Sequence, residues 1–303
     1  MSVKIPYEQI VNEDYVGKET NPINQQDIYK LADKYRKDVI KELHDESINL
    51  LIVDPQRDFI DMEKGALPVK NAAEDIKKII RFIYDNMEKL SSIYVTLDTH
   101  RYDSIFHPIM WEDYNGKPVA PFTEITLEKI ENDEVVPTYD DEIQINYVQA
   151  LKERGSANLM IWPYHCIYGT DGWLIDKQLA NMLLFFEAAR NLHINKILKG
   201  QDSFSEMYGV IRPEVPTEYT QKYDISWTSD ITNADKIYIC GEAKDYCVYE
   251  SVKQFCEIYD NDRKVTETIN IMMNCSSAIG DNKICDAKYE ELSKNYGIKL
   301  INV

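Results

Sequence analysis

Two cysteines lie seven positions apart in the segment CGEAKDYCVYES, residues 240–251. Cys247 stands where an apolar run gives way to a helical pattern, so backbone N–H groups and the helix dipole would stabilise its thiolate. The same N–H groups can form an oxyanion hole for acyl transfer. Cys240 lies inside the apolar run, which favours burial. We therefore expect Cys247 to be a nucleophile and Cys240 to be a buried strand residue.

A cysteine nucleophile needs a base to take its proton and a cation that favours the thiolate. Asp54 and Lys199 each end an apolar run, and both would reach Cys247 if the three runs end at one edge of a sheet. Taken singly, Asp54 is better explained as a loop or helix cap, and Lys199 as a solvated surface charge.

A carboxylate and several imidazoles also follow apolar runs. Asp98 and His100 are two positions apart, so an extended backbone directs both side chains to the same side. His107 follows in the next loop, and His165 comes after a later run. One carboxylate with two or three imidazoles suits one divalent ion, Zn first and Fe or Mn as alternatives. For any single histidine, a surface or capping role is the simpler explanation.

These residues need a scaffold that brings strand ends together. From residue 47 onward, apolar runs alternate with helical patterns, which predicts an α/β fold. We expect a doubly wound, mostly parallel sheet of about six strands with helices on both faces, and ligands beyond the carboxyl ends of the strands. The predicted strands are 48–55, 92–99, 158–163, 196–200, 236–242, 268–275 and a last one near residue 300; the predicted helices are 71–90, 176–192, 245–260 and 286–297.

Two segments fall outside this alternation. Residues 1–46 precede the first predicted strand and are expected to form an arm with a helix near residues 26–43. The segment 108–157 is longer than an ordinary connection between elements and is rich in Pro, Asp and Glu. We therefore expect one hydrolase domain, 47–303, with an amino-terminal extension and an insertion. The insertion would cover the pocket or build an interface in a homo-oligomer.

Bulk properties exclude several classes of partner. A net charge of −18 disfavours binding to a phosphate backbone, so nucleic acid is not expected. No apolar run reaches the roughly 18 residues of a membrane span. The start lacks the pattern of a signal peptide, and the six cysteines form no CxxC pair. A cytoplasmic protein with reduced thiols and a small-molecule substrate is expected.

Five motifs in this order resemble the isochorismatase-like cysteine hydrolases, and among them the nicotinamidases. The resemblance covers the chain from about residue 47 to the end. The motifs are VDPQRDF (53–59), DTH (98–100), WPYHCIYGTDG (162–172), KG (199–200) and GEAKDYCV (241–248).

The resemblance implies a role for each matching residue. Asp54, Lys199 and Cys247 would form the catalytic triad, and Ala243 and Cys247 the oxyanion hole after a cis peptide at Glu242–Ala243. The metal ligands would be Asp98, His100 and His165, with His107 as a less secure addition. Phe59 and Trp162 would line the substrate ring pocket. The implied reaction converts nicotinamide to nicotinate and ammonia through a cysteine thioester, as in cytoplasmic pyridine-nucleotide salvage.

Two other functions compete with this one. A related cysteine amidase would act on a ureido, carbamoyl or other small amide, although such relatives commonly lack the Asp/His metal set. A catalytically silent binding protein with the same fold is the second alternative, which the complete triad disfavours. The arm, the insertion and Asn274, where many relatives have an acidic residue, depart from the compact family pattern.

Overall fold

The computed structural model describes residues 6–39, 46–217 and 225–303. Six of its strands form one parallel sheet in the order β10-β9-β8-β1-β2-β7. The strands are β1 Ile48–Val53, β2 Leu90–Asp98, β3 Trp111–Asp113, β4 Glu124–Ile125, β5 Val135–Pro137, β6 Leu159–Met160, β7 Ile194–Lys199, β8 Lys236–Gly241, β9 Ile269–Met272 and β10 Lys299–Ile301. The predicted fold class is confirmed.

Helices cover both faces of this sheet. The helices are α1 Gln25–Val39, α2 Arg57–Ile60, α3 Ala72–Asp85, α4 Leu127–Glu131, α5 Asp141–Arg154, α6 Lys177–Arg190, α7 Trp227–Thr232, α8 Tyr249–Ile258, α9 Arg263–Thr266 and α10 Asn282–Tyr296, and a π-helical turn, Lys244–Val248, leads into α8. No helix in the described ranges is both long and apolar enough to cross a membrane.

The central strand β1 shows why both faces must be covered. All six of its residues are buried. Leu50 and Ile52 belong to the core that contains α3 and α6, whereas Leu51 and Val53 belong to the core that contains α8 and α10. Such a continuous apolar strand is typical of parallel sheets buried on both sides.

The strand register brings the predicted polar residues to one edge. Asp98 is the partner of Lys199 across β2 and β7, and Val53 is the partner of Gly241 across β1 and β8. Asp54 and the turn that carries Ala243 therefore start at the same carboxyl edge.

The segment predicted as a strand at 158–163 does not join the main sheet, so that prediction was wrong in part. Only β6 is extended, and it pairs antiparallel with β4 from the insertion. Beyond it, the Ile161 N–H donates to Thr123 O and the Trp162 N–H donates to Phe106 O. Backbone groups of the insertion and of Phe106 just before it therefore accept the hydrogen bonds that a neighbouring strand of the sheet would otherwise accept.

The amino-terminal segment is tied to α6. The Gly17 N–H donates to Asp176, the cap of α6, at 2.8 Å, and the Asn12 N–H donates to Gln178 at 2.9 Å. The predicted arm helix is α1 over Gln25–Val39; the rest of that prediction, and the first five residues of the arm, lie outside the described residues. The predicted insertion contains β3–β5, α4 and α5 and is anchored by the fully buried Trp111.

Two buried acidic residues fix the turn that follows β8. Glu242 is fully buried, and its Oε2 accepts the Ser277 N–H at 3.3 Å. The Ser277 hydroxyl donates to Asp75 of α3, and the Ser277 carbonyl accepts the Lys244 N–H at 2.8 Å. Burial, with the nearby Asp75 carboxylate second, raises the pKa of Glu242 well above its ordinary value. Ser277 therefore links Glu242 and the turn to α3.

This arrangement predicts how stability depends on pH. The pKa of Glu242 is raised in the folded state, so its stabilising proton is present below pH 4.5 and lost as pH rises through the folded pKa. Glu242→Gln keeps the shape without that proton. We expect the free energy of unfolding to fall less steeply with pH in this variant. At pH 8, the free energy of unfolding of the variant should exceed that of wild type by about 1 kcal/mol or more.

Urea unfolding from pH 5 to pH 9 measures this difference. Glu131→Gln, at an exposed position at the end of α4, is the matched control and should follow wild type. Equal pH slopes for Glu242→Gln and wild type would contradict the assignment of a proton to Glu242.

Candidate active site

A buried lysine lies at the centre of the site. Lys199 is fully buried, and its ammonium nitrogen lies 2.9 Å from Asp54 Oδ2, 2.6 Å from Asp98 Oδ1 and 3.5 Å from Cys247 Sγ. It also donates to the Met207 carbonyl at 3.0 Å. Burial alone would lower the pKa of Lys199, but the two carboxylates reverse this and raise the pKa well above its ordinary value. The structure thus brings the three residues of the predicted triad together.

The carboxylate of Asp54 is oriented by the neighbouring strand. The Thr96 hydroxyl donates to Asp54 Oδ1 at 2.6 Å and accepts the Asp54 N–H at 3.0 Å. Asp54 has φ of 43°, which turns the chain sharply at the end of β1. Its Oδ2 forms the ion pair with Lys199 but has no aligned hydrogen-bond donor. That oxygen is therefore available to accept a proton.

The predicted thiolate at Cys247 is not what the structure favours. Burial raises the pKa of the Cys247 thiol well above its ordinary value; Lys199 acts in the opposite direction, and Asp54 and Asp98 add to the rise. This direction is opposite to the one expected from a helix start, because burial disfavours the charged form of the thiol. A neutral thiol beside Asp54 instead suits proton transfer at the moment of attack.

The turn before Cys247 has the predicted conformation. The Glu242–Ala243 peptide is cis. The Ala243 carbonyl accepts the N–H groups of Tyr246 and Val248, which closes the π-helical turn around Cys247. Ala243 and Cys247 line the same small cavity, where their backbone N–H groups are candidates for an oxyanion hole.

Three donors form a compact group next to the triad. Donor atoms of Asp98, His100 and His165 all lie within 4.8 Å of one another, and all three residues are buried. His100 Nδ1 lies 3.2 Å from the Gly200 carbonyl, and His165 Nδ1 lies 2.8 Å from the Pro163 carbonyl. A carbonyl partner requires a proton on Nδ1, which leaves the Nε2 lone pair free for a metal.

His107 lies beside this group without joining it. Its Nδ1 is 3.1 Å from the Tyr102 carbonyl, and its buried Nε2 has no hydrogen-bond partner. Its ring centroid lies 5.9 Å from that of His165 and 6.1 Å from that of His100. Burial, with the two other imidazoles second, lowers the pKa of His107 to about 2, so it is neutral. It has the correct tautomer for a ligand, but its nitrogen is not within the compact set.

The small cavity above Cys247 has an aromatic wall. Phe59 and Trp162 line it as predicted, and the wall also includes Tyr208, Tyr246 and Glu206, which the sequence reasoning missed. The Trp162 indole N–H donates to Tyr208 Oη at 3.1 Å. Glu206 and Tyr208 belong to an irregular loop after β7, where no periodicity or motif marks them as pocket residues.

Comparisons with solved structures place this fold among the nicotinamidases. The chain resembles the yeast nicotinamidase with a TM-score of 0.59 and 20% identity, covering 85% of this chain and 100% of that one. The structure of the yeast enzyme bound to the inhibitor nicotinaldehyde matches with a TM-score of 0.58 and 21% identity, covering 84% of this chain and 100% of that one. A nicotinamidase/pyrazinamidase from Acinetobacter baumanii matches with a TM-score of 0.55 and 17% identity, covering 86% of this chain and 98% of that one.

The similarity is visible in structure rather than in sequence. No protein-family model matches the chain, and no curated protein matches it significantly. At these identities the comparisons establish the fold, which is the isochorismatase-like α/β fold of the nicotinamidases.

Proposed function

We propose that this protein is a cysteine amidase that hydrolyses nicotinamide to nicotinate and ammonia through a thioester on Cys247. The observation that carries the proposal is the contact of one buried ammonium, that of Lys199, with a carboxylate base and a thiol. The shared fold of the yeast nicotinamidase supports the choice of a nicotinamide-like substrate.

The first half of the reaction needs a base, a nucleophile and anion stabilisation. Asp54 accepts the thiol proton through its Oδ2, which is ion-paired with Lys199 but makes no hydrogen bond, while Cys247 Sγ attacks the carboxamide carbon. The N–H groups of Ala243 and Cys247 stabilise the negative charge on the carbonyl oxygen. Asp54 then gives its proton to the departing ammonia, and the carbon–nitrogen bond breaks to leave the thioester.

The second half regenerates the thiol. Asp54 takes a proton from a water molecule as the water attacks the thioester carbon, and the carbon–sulfur bond breaks. The sulfur regains a proton from Asp54, and the product leaves as the carboxylic acid, which releases its remaining proton to water. Lys199 holds Asp54 in place and offsets the charge on sulfur in each half.

The donor set of Asp98, His100 and His165 fits a divalent metal ion. The fit rests on the buried Nε2 of His100, which makes no hydrogen bond and lies 3.2 Å from Asp98 Oδ2, and on the carbonyl partners that fix the histidine tautomers. When bound, such an ion supplies a Lewis-acidic position for a pyridine nitrogen or a water. Zinc is proposed first, because three N/O ligands with an open position are typical of catalytic zinc.

The nucleophile assignment predicts a large and selective loss of activity. Cys247→Ala removes the attacking sulfur, so ammonia release from nicotinamide should fall by about a thousandfold or more. A coupled ammonia assay on purified protein measures this. Cys240→Ala is the matched control, since Cys240 is buried in β8 away from Lys199, and it should keep activity within a few-fold of wild type. Ordinary turnover by Cys247→Ala would refute the nucleophile.

The metal site predicts a stoichiometry that is independent of turnover. Elemental analysis should find about one divalent ion per chain, and the double variant His100→Ala, His165→Ala should lose it because two of three donors are gone. His193→Ala, whose side chain is 98% exposed, is the control and should retain the ion. A metal-free wild type that releases ammonia from a ureido compound would instead support the related amidase.

A further inference from the structure

A second cavity adjoins the small cavity above Cys247. It has a volume of about 440 Å³ and lies between the insertion, through Tyr147 and Leu151, and helices α8 and α10. The two cavities share Glu206, Tyr208 and Tyr246 as lining residues. Its volume is within the range of small-molecule sites. None of the residues of the predicted triad or of the predicted metal site lines this second cavity.

Two acidic side chains on its wall each have one carboxyl oxygen without a hydrogen-bond donor in the described part of the chain. Glu206 is 4% exposed; its Oε1 accepts the Met207 N–H, and no described residue donates to its Oε2. The Glu214 Oε1 is buried and likewise without a partner. The Glu214 N–H donates to the Glu206 carbonyl at 2.9 Å, so the two residues are neighbours.

The other charged groups on the wall are already satisfied. Asp245 and Asp281 accept backbone N–H groups, Glu250 pairs with Lys253 at 3.1 Å, and the Lys288 ammonium lies over the Tyr249 ring. The unpartnered charge of the cavity therefore lies on Glu206 and Glu214.

Burial raises the pKa of both carboxyl groups to about 7. For Glu206 the nearby His100 and Lys199 oppose the rise in pKa; for Glu214 the carboxylates of Glu250 and Glu206 add to it, and Lys253 and Arg212 oppose it. A buried carboxylate without a partner costs free energy, which a cation in the cavity would offset. The rings of Tyr208 and Tyr246, with centroids 5.3 Å apart, supply aromatic faces that attract organic cations.

A metal ion fits this cavity less well than an organic cation. Neither Glu206 nor Glu214 belongs to a group of three donor atoms within 4.8 Å in the described part of the chain. We propose that the cavity binds a small organic ammonium ion, with Glu206 and Glu214 as its anionic partners and Tyr208 and Tyr246 as its aromatic wall.

Calorimetric titration at pH 8 tests this with choline as the probe. The neutral control is 3,3-dimethylbutan-1-ol, which has the shape of choline with carbon in place of the charged nitrogen. Choline should bind the wild-type protein at least about tenfold more tightly than the alcohol. This comparison needs no variant and no turnover, so its outcome is separate from that of the amidase assay.

Two variants locate the site. Glu214→Gln should weaken choline binding by about fivefold or more, whereas Glu131→Gln, at an exposed position that does not line the cavity, should change it by no more than about twofold. Circular dichroism checks that both variants are folded. Equal binding of choline and the alcohol, no choline binding, or equal effects of the two variants would overturn the proposal.

Discussion

The site depends on keeping one ammonium group fully buried. Lys199 has no contact with solvent, and its charge is balanced by Asp54 and Asp98, at 2.9 and 2.6 Å. Removing one member of such a cluster leaves uncompensated buried charge, which is strongly destabilising. The parallel register that pairs Lys199 with Asp98 across β2 and β7 thus places this charge cluster at the carboxyl edge of the sheet.

Asp98 joins the two halves of the site. Its Oδ1 contacts Lys199, and its Oδ2 lies 3.2 Å from His100 Nε2. Burial opposes the charge on Asp98, but His100 and Lys199 outweigh it and hold the pKa of Asp98 below its ordinary value. One carboxylate therefore contacts both the buried lysine and the imidazole of His100, so a change at either is expected to affect the other.

The sequence predicted the sheet and the residues at its edge because both depend on local patterns. Continuous apolar runs marked the parallel strands, and polar residues at the ends of those runs marked Asp54, Asp98 and Lys199. Prediction failed where long-range packing decided the outcome. The run at 158–163 pairs with the insertion rather than with the sheet, and burial raises the pKa of Cys247 despite its place at a helix start. Glu206 was not predicted as a site residue, and the burial of the Glu242 carboxyl group was not predicted, because only the folded chain shows which carboxyl groups are buried.

The proposed reaction passes through a covalent bond between the substrate and Cys247, so detecting that bond is its most direct test. The purified protein would be mixed with saturating nicotinamide, quenched in acid within the first turnovers, and digested for mass spectrometry. The expected result is a nicotinoyl group on the peptide that contains Cys247. Turnover without an acyl adduct on that peptide, or with the adduct on another cysteine, would contradict it.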